Sequence, residues 1–314
     1  MASADFAFHA TTAYDAAAKT TRTPPHGAHR TQNKIERQAL DTLVRAAALT
    51  NFFEVARDLG LNPQPLLREA RLSRALLSDP DQRVSVNAGA RLLELAAQAS
   101  GCETFGLRMA ESRQLSDFGV MSLLISQQPT LRDALATIIR YRHLVNESLA
   151  ILLEDAGKVV VIRQEVVLDT PSRQASELAL GVVFRLCRAL LGAHWHPLNV
   201  NFTHAAPVDL QVHRRLFGCP LEFDSEFSGI TCLSADLDAA IPTADPGMAR
   251  YAQRFVDTLP RVNAPSIGRD VRSAVYLMLP MGRATCDGVA QGLGLSCVPC
   301  SASSTRPAKR SRTS

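Results

Sequence analysis

The sequence predicts an α+β fold: a helical N-terminal half, then an antiparallel sheet with one long helix packed on a face, then a truncated all-α helix-turn-helix segment. Three observations predict it. From residue 36 to 146 apolar residues recur three and four apart, the spacing of one helix face. From about residue 147 the period falls to two, in "SLAILLEDAGKVVVIRQEVVLD". Among the strand signals sits one long amphipathic run, "TPSRQASELALGVVFRLCRALLG". Helices grouped apart from an antiparallel sheet define the α+β class.

Residues 1–35 are rich in Ala, Thr, His and Pro and hold no lasting apolar period, which predicts a disordered leader or a true start codon near residue 35. "ERQALDTLVRAAALTNFFEVARDLGLNPQPLLREARL" reads as helices, with a stop at Gly60 and Asn62-Pro63. "VSVNAGARLLELAAQASG" is a further helix closed by Gly101. In "QQPTLRDALATIIRYRHLV" Thr130 caps a helix, and Asp133 stands at capping-box spacing. Two strands follow, joined by a loop at Glu154–Lys158; Val160, Ile162, Val166 and Leu168 share one face, with Arg163 and Glu165 on the other. In the long helix Thr170 fits N-cap, Pro171 fits N1 and Gly192 lies just past the end. "LNVNFTH" alternates as a strand, "VDLQVHRRLFG" is a short helix, and "CPLEFDSEFSGITCLSADLDAAIP" supplies one or two strands. "PTADPGMARYAQRFVDTLPRVNAPS" holds one proline-bounded helix and suits a linker; "IGRDVRSAVYLMLP" and "RATCDGVAQGLGLS" give two more helices and a turn.

Composition bounds the function. Hydrophobic residues make up 46% and charged residues 20%, enough for a packed core, and the length fits about two domains. No apolar run is long enough for a transmembrane helix, and no basic-then-apolar leader marks secretion. Seven dispersed cysteines fit a reducing, cytoplasmic setting. The net charge is +4, yet residues 297–314 carry Arg306, Lys309, Arg310 and Arg312 and no acid, so the rest of the chain is formally neutral. Whole-chain charge therefore gives no support to a basic nucleic-acid-binding domain.

The richest constellation is near the end. A helix-turn-helix needs a small residue where its helices cross, a positive-φ-tolerant residue in the turn and a cap for the second helix. Ala290, Gly294 and Ser296 stand at those spacings, with Thr285 ahead of them and Val289, Leu293 and Leu295 as a small core. On these residues alone, an ordinary helix end at Gly292–Gly294 explains the pattern as well. "RYRHLVNES" joins the helical half to the sheet, and Arg140, Tyr141, Arg142, His143 and Asn146 are candidates to line a pocket for an anionic small molecule; a solvated helix face is the competing reading for each. Other signals are weaker. His194-Trp195-His196 lacks a nearby acid to complete a metal site. "DAGK" is a hairpin turn rather than a phosphate loop. Gly292-Leu-Gly294-Leu-Ser296 is not a nucleophile elbow, and no Ser/His/Asp order emerges. The residues nominate no catalytic group, metal or cofactor.

The chain resembles AraC-type (AraC/XylS) helix-turn-helix transcriptional regulators of the branch with an arabinose-binding-like N-terminal effector domain. The resemblance spans roughly residues 37–296. It is carried by "QQPTLRDALATIIRYRHLVNESLAILLED", by "VRSAVYLMLPMGRATCDGVAQGLGLS" and above all by "PLNVNFTHAAPVDLQVHRRLFGCPLEFDSEFSGITCLSADLDAAIPTADPGM". It implies an effector-binding domain at 36–245, a linker at 246–265 and part of a DNA-binding domain at 266–296, with Thr285, Val289, Ala290, Gly294, Leu295 and Ser296 in its first helix-turn-helix. It implies no enzyme, DNA as the partner of an intact relative, an unknown small-molecule effector and compatibility with a homodimer. A free-standing ligand-binding or dimerisation module without DNA binding is the alternative.

The family pattern departs at Cys297. Relatives continue with a recognition helix resembling V-R-T-L-Q-R-x-L, whereas this chain runs Cys-Val-Pro-Cys and then a Ser- and Arg-rich stretch. Synonymous codons exist for residues 297–313 that, read two bases later, spell R-T-L-Q-R-Q-L-D-E-A-G-E-A-F-S-D. This predicts that one base was lost near codon 296, that 297–314 is a disordered out-of-frame tail, and that DNA binding is impaired. On this reading Cys297-Val-Pro-Cys300 is not a zinc half-site, since no second ligand pair follows, and "RPAKRSR" is not a selected basic patch.

Overall fold

Leu43–Arg45 forms a strand, β1, inside a stretch that periodicity assigns to helix; the computed structural model describes residues 42–259, 267–279 and 282–293. The predicted leader and tail, and Gly294, Leu295 and Ser296, lie outside these residues. After a 3-10 turn at Ala46–Leu49 come α1 (Phe52–Asp58), α2 (Pro63–Glu69) and α3 (Arg74–Ser78), then β2 (Arg83–Ser85). β2 pairs antiparallel with β1, Val44 facing Val84, and both valines are buried. The partner strand is far away in sequence, so no local period could announce it. Asn62 caps α2 by accepting from the Gln64 N–H at 3.1 Å, with Pro63 at N1.

Helix α4 (Val86–Ser100) begins at Ser85, whose hydroxyl accepts from the Ala88 N–H, and ends at Gly101 with φ 64°, a left-handed position suited to glycine. Then come α5 (Phe105–Glu111), a 3-10 turn at Leu115–Phe118, α6 (Val120–Ile125), α7 (Leu131–Arg140) and α8 (Arg142–Val145). Thr130 caps α7, accepting from the Asp133 N–H at 3.1 Å and donating to its carboxylate at 2.7 Å.

The sheet begins with β3 (Leu149–Ala156) and β4 (Val159–Val166). The expected loop at Glu154–Lys158 shrinks to Gly157-Lys158, because Glu154 and Asp155 stay in register opposite Val161 and Val160. Val160, Ile162, Val166 and Leu168 are buried as their alternation predicts, and Gln164 joins that face, its Nε2 donating to the Ser176 carbonyl at 3.3 Å. Helix α9 (Arg173–Leu191) starts later than expected. Ser172, not Thr170, is its cap, so Pro171 precedes the helix. The Ser172 hydroxyl accepts from the Ala175 N–H and donates to Glu94 at 2.7 Å, so a tertiary partner selects the cap.

The remaining elements are β5 (Asn199–Asn201), α10 (Gln211–Phe217), β6 (Leu221–Glu222), β7 (Ser228–Leu233), α11 (Ser234–Asp238), α12 (Pro246–Asp257), α13 (Ile267–Met278) and α14 (Cys286–Gly292). The strand order is β3-β4-β7-β5-β6. The pairs are antiparallel except β5–β6, which is parallel and corrects the wholly antiparallel expectation. The physical reason is the connection: α10 lies between β5 and β6 and carries the chain back to run in the same direction. Phe184, Phe202 and Phe217 pack together beneath the sheet. Helices α5 and α9 cross so closely that a Cβ on Gly181 would lie 2.5 Å from the Ala110 Cβ.

Candidate ligand-binding cavity

The helical half and the sheet leave between them a cavity of about 260 Å3, just below the ~300–1,000 Å3 usual for small-molecule sites. Its walls come from α4, α7, α8, β3, α9 and, on one side, α13. Most of the lining is aliphatic: Leu93, Leu135, Ile138, Leu178, Val182 and Leu186. This follows from the sequence pattern, since α7 and α9 turn amphipathic faces toward a common interior.

A few polar side chains interrupt the aliphatic wall. Arg113 is buried and donates to the carbonyls of Ala47, at 2.5 Å, and Ala48. Burial pulls its guanidinium down to about 10, against the opposing pull of Asp117, 3.8 Å away. Arg142 forms an ion pair with Asp270, and both residues line the cavity. Asn146 lines it too; its Oδ1 accepts from the Ser148 N–H at 2.9 Å and hydroxyl at 2.6 Å.

The five residues nominated around α8 separate onto different faces. Arg142 and Asn146, four apart and so on one side of a helical turn, reach the cavity wall. Tyr141 turns toward α12, its hydroxyl donating to Asp257 at 2.7 Å and contacting Gln253. Arg140 is exposed and lies over the Tyr141 ring at 5.3 Å. The His143 ring lies 6.1 Å from that of Tyr141, and its backbone carbonyl accepts from Arg83 at 3.0 Å. Sequence reasoning missed Arg113, Asp117 and Asp270. Asp270 stands among Arg272 and Ser273 in the first half of α13, so nothing local singles it out, and its partner is 128 residues away.

Of the helix-turn-helix candidates, Thr285 caps α14 by accepting from the Gly288 N–H at 3.0 Å, Val289 is buried and Ala290 half-buried.

A second polar cluster was not foreseen. Glu177 on α9 has a side chain with 0% exposure. Its Oε1 accepts from His213 Nε2 at 3.2 Å and from Arg173 Nε at 3.1 Å, and His204 Nε2 lies 3.1 Å away. Burial alone would push this carboxyl up; the contacts of His204 and His213 and the charge of Arg173 override it and hold it at about 2. Among the described residues no group of three or more His, Cys, Asp and Glu is placed to hold a metal ion, and no helix is long and apolar enough to cross a membrane.

Residues 60–241, more than half of the chain, match the family described as the arabinose-binding domain of AraC transcription regulators, N-terminal. The chain therefore belongs to the AraC family of transcription regulators and carries its effector-type N-terminal domain. It is similar to the HTH-type transcriptional regulator VirS of Mycobacterium tuberculosis, at 24% identity over 82% of this chain and 76% of VirS. It is also similar to the ornithine utilization regulator of Pseudomonas aeruginosa, at 20% identity over 69% of this chain and 65% of that protein. Among solved structures, the crystal structure of the transcriptional regulator CdpR from Pseudomonas aeruginosa aligns with a TM-score of 0.43 and 16% identity, over 74% of each chain.

Proposed function

We propose that this chain is a ligand-responsive transcription regulator of the cytoplasm whose effector occupies the cavity beneath α13. One observation carries the reading: α13, in the segment that the family resemblance assigns to DNA binding, supplies part of the wall of a cavity otherwise built by the effector domain. An occupant there touches both segments at once, which is the physical requirement for coupling two sites. Arg142 and Asn146 give such an occupant polar contacts, and the aliphatic wall gives it affinity. The reading assigns the chain no catalysis.

Sequence-specific DNA binding by this polypeptide is weak on the same proposal. Residues 297–314 contain Pro299 and Pro307 and no amphipathic period, a sequence pattern unlike that of a recognition helix.

Val182→Trp tests the cavity. It fills the space without removing a polar group. A small-molecule panel is screened by thermal shift against the parent chain and this variant. Ligands that raise the parent Tm and leave Val182→Trp unmoved support the proposal; stabilisers that act equally on both sink it. For DNA, a gel shift at rising salt is expected to show only sequence-independent retardation that salt removes.

A further inference from the structure

The cavity wall is not neutral in what it offers an occupant. Around Arg142 and Asn146, the unused polar capacity consists of donors. A guanidinium carries five N–H donors, and among the described residues Asp270 is the only side chain hydrogen-bonded to that of Arg142. The Asn146 carbonyl oxygen is taken twice by Ser148, while its Nδ2 has no partner among the described residues. The acids on the wall are already engaged: Asp117 accepts from the Gln114 N–H at 3.0 Å, and Asp270 is held by Arg142. The other arginines on the wall are engaged as well. Arg45 is held by Asp81 at 2.7 Å, and both Nη atoms of Arg113 are spent on carbonyls, its one unpartnered donor being a fully buried Nε. The largest concentration of unused donors on the wall is beside Arg142 and Asn146, and a head group seated there has to accept hydrogen bonds.

The same place is where α13 is fastened. Ala274 is its one buried residue among those described. Among the described residues its other polar ties are weak, with Arg272 reaching the Leu168 carbonyl at 3.4 Å and Asp169 at 3.8 Å. Asp270 is therefore a main fastening, and it occupies the guanidinium that a ligand's acceptor would seek.

We propose that the cavity takes a compact apolar carboxylate, whose carboxylate replaces Asp270 on Arg142, accepts from the Asn146 Nδ2 as well, and thereby unfastens α13. The inference rests on the cavity being the effector site and adds the chemical class and the direction of the switch. Size fits: a cavity of about 260 Å3, just under the ~300–1,000 Å3 usual for small-molecule sites, suits a compact ligand on the scale of octanoate. An ordinary carboxylate is ionised at neutral pH, and a free one can pair bidentately with the guanidinium, where Asp270 makes a single contact through Oδ1 on Nη2.

The experiment uses the full chain with octanoate, octan-1-ol and octylamine, three probes sharing one tail. Calorimetry gives affinities, and hydrogen exchange follows peptides covering 267–278. Octanoate is expected to bind at least tenfold tighter than the alcohol, with the amine weakest, and to speed exchange in α13. Asp270→Asn removes the competitor, so octanoate affinity should rise severalfold and the ligand-induced change in exchange should vanish. Arg142→Gln should erase the preference for octanoate over octanol. If Arg142→Gln does not fold, Asp270→Asn alone decides, since that side chain is 39% exposed. Equal affinity for alcohol and carboxylate, preference for the amine, or slower exchange in α13 each overturns the proposal. If octanol binds as well as octanoate and Val182→Trp blocks both, the cavity remains the effector site and only the carboxylate switch fails. If none of the three binds, the carboxylate proposal falls; if no panel ligand separates Val182→Trp from the parent, the effector-site reading falls as well.

Discussion

Replacing Glu177 by glutamine removes one negative charge from the driest polar cluster among the described residues. The carboxylate is inaccessible and accepts from His213 and Arg173 on one oxygen, with His204 Nε2 3.1 Å from it. Breaking a buried pair by removing one partner costs ~3–5 kcal/mol, because the other charge stays behind uncompensated. Here the lower end applies, because Arg173 is 26% exposed and keeps Glu103 at 3.6 Å as a second acid. The depressed carboxyl leads to the same figure: a fall from 4.5 to about 2, at ~1.4 kcal/mol per unit, is roughly 3 kcal/mol. A carboxyl held below its unfolded value stabilises the fold above that value, and the contribution is lost as pH falls through the folded one. Stability of the parent chain should therefore decline between pH 4.5 and about 2, and this component should be missing from Glu177→Gln. Urea unfolding followed by circular dichroism is the assay. With m near ~3 kcal/mol/M, the midpoint at pH 7 should fall by about 1 M with m unchanged. A midpoint shift below ~0.3 M, or an identical acid slope in the variant, would refute the reasoning.

The other expectations concern local packing and capping. Gly181→Ala places a methyl 2.5 Å from the Ala110 Cβ, and overpacking of this kind costs ~1–3 kcal/mol. Calorimetry should show a lowered Tm that Ala110→Gly restores; no rescue would mean that the two positions do not clash. Thr285→Ala deletes the cap of α14 and should cost ~1 kcal/mol locally, seen as faster amide exchange over 286–292 with little change in global Tm. Tyr141→Phe removes the hydroxyl bonded to Asp257, a loss of ~1 kcal/mol; faster exchange in α12 with the cavity's ligand affinity unchanged is the expected outcome.

Local rules were legible wherever the deciding atoms lie within a few residues. Thr130 capping α7, Gly101 closing α4 and the burial of Val160, Ile162 and Val166 all follow from neighbours on the chain. The misses share the opposite property. β1 is a strand because β2 lies beside it, Ser172 rather than Thr170 starts α9 because Glu94 is there to be bonded, and β6 runs parallel because α10 reverses the path. The candidate site divides in the same way. The stretch 140–146 was visible as polar residues at a helix-to-sheet junction, and helical phase then sends Arg142 and Asn146 inward and Tyr141 toward α12. Asp270 and Arg113 enter the cavity wall only through tertiary folding, and no spacing in the sequence marks them.

The cavity is bounded by walls of unequal stiffness. On one side α9 is braced along its length: among its buried side chains are Glu177, Leu180, Phe184 and Leu190, and Gly181 is wedged against Ala110. On the other side α13 lies against β3 and β4 with Ala274 as its one buried residue among those described, tied by the Arg142–Asp270 pair and the longer contacts of Arg272. An elastic body loaded from within deforms where it is most compliant. An occupant that overfills the space is thus expected to displace α13 before α9, so that the size of a bound molecule is converted into movement of a single helix.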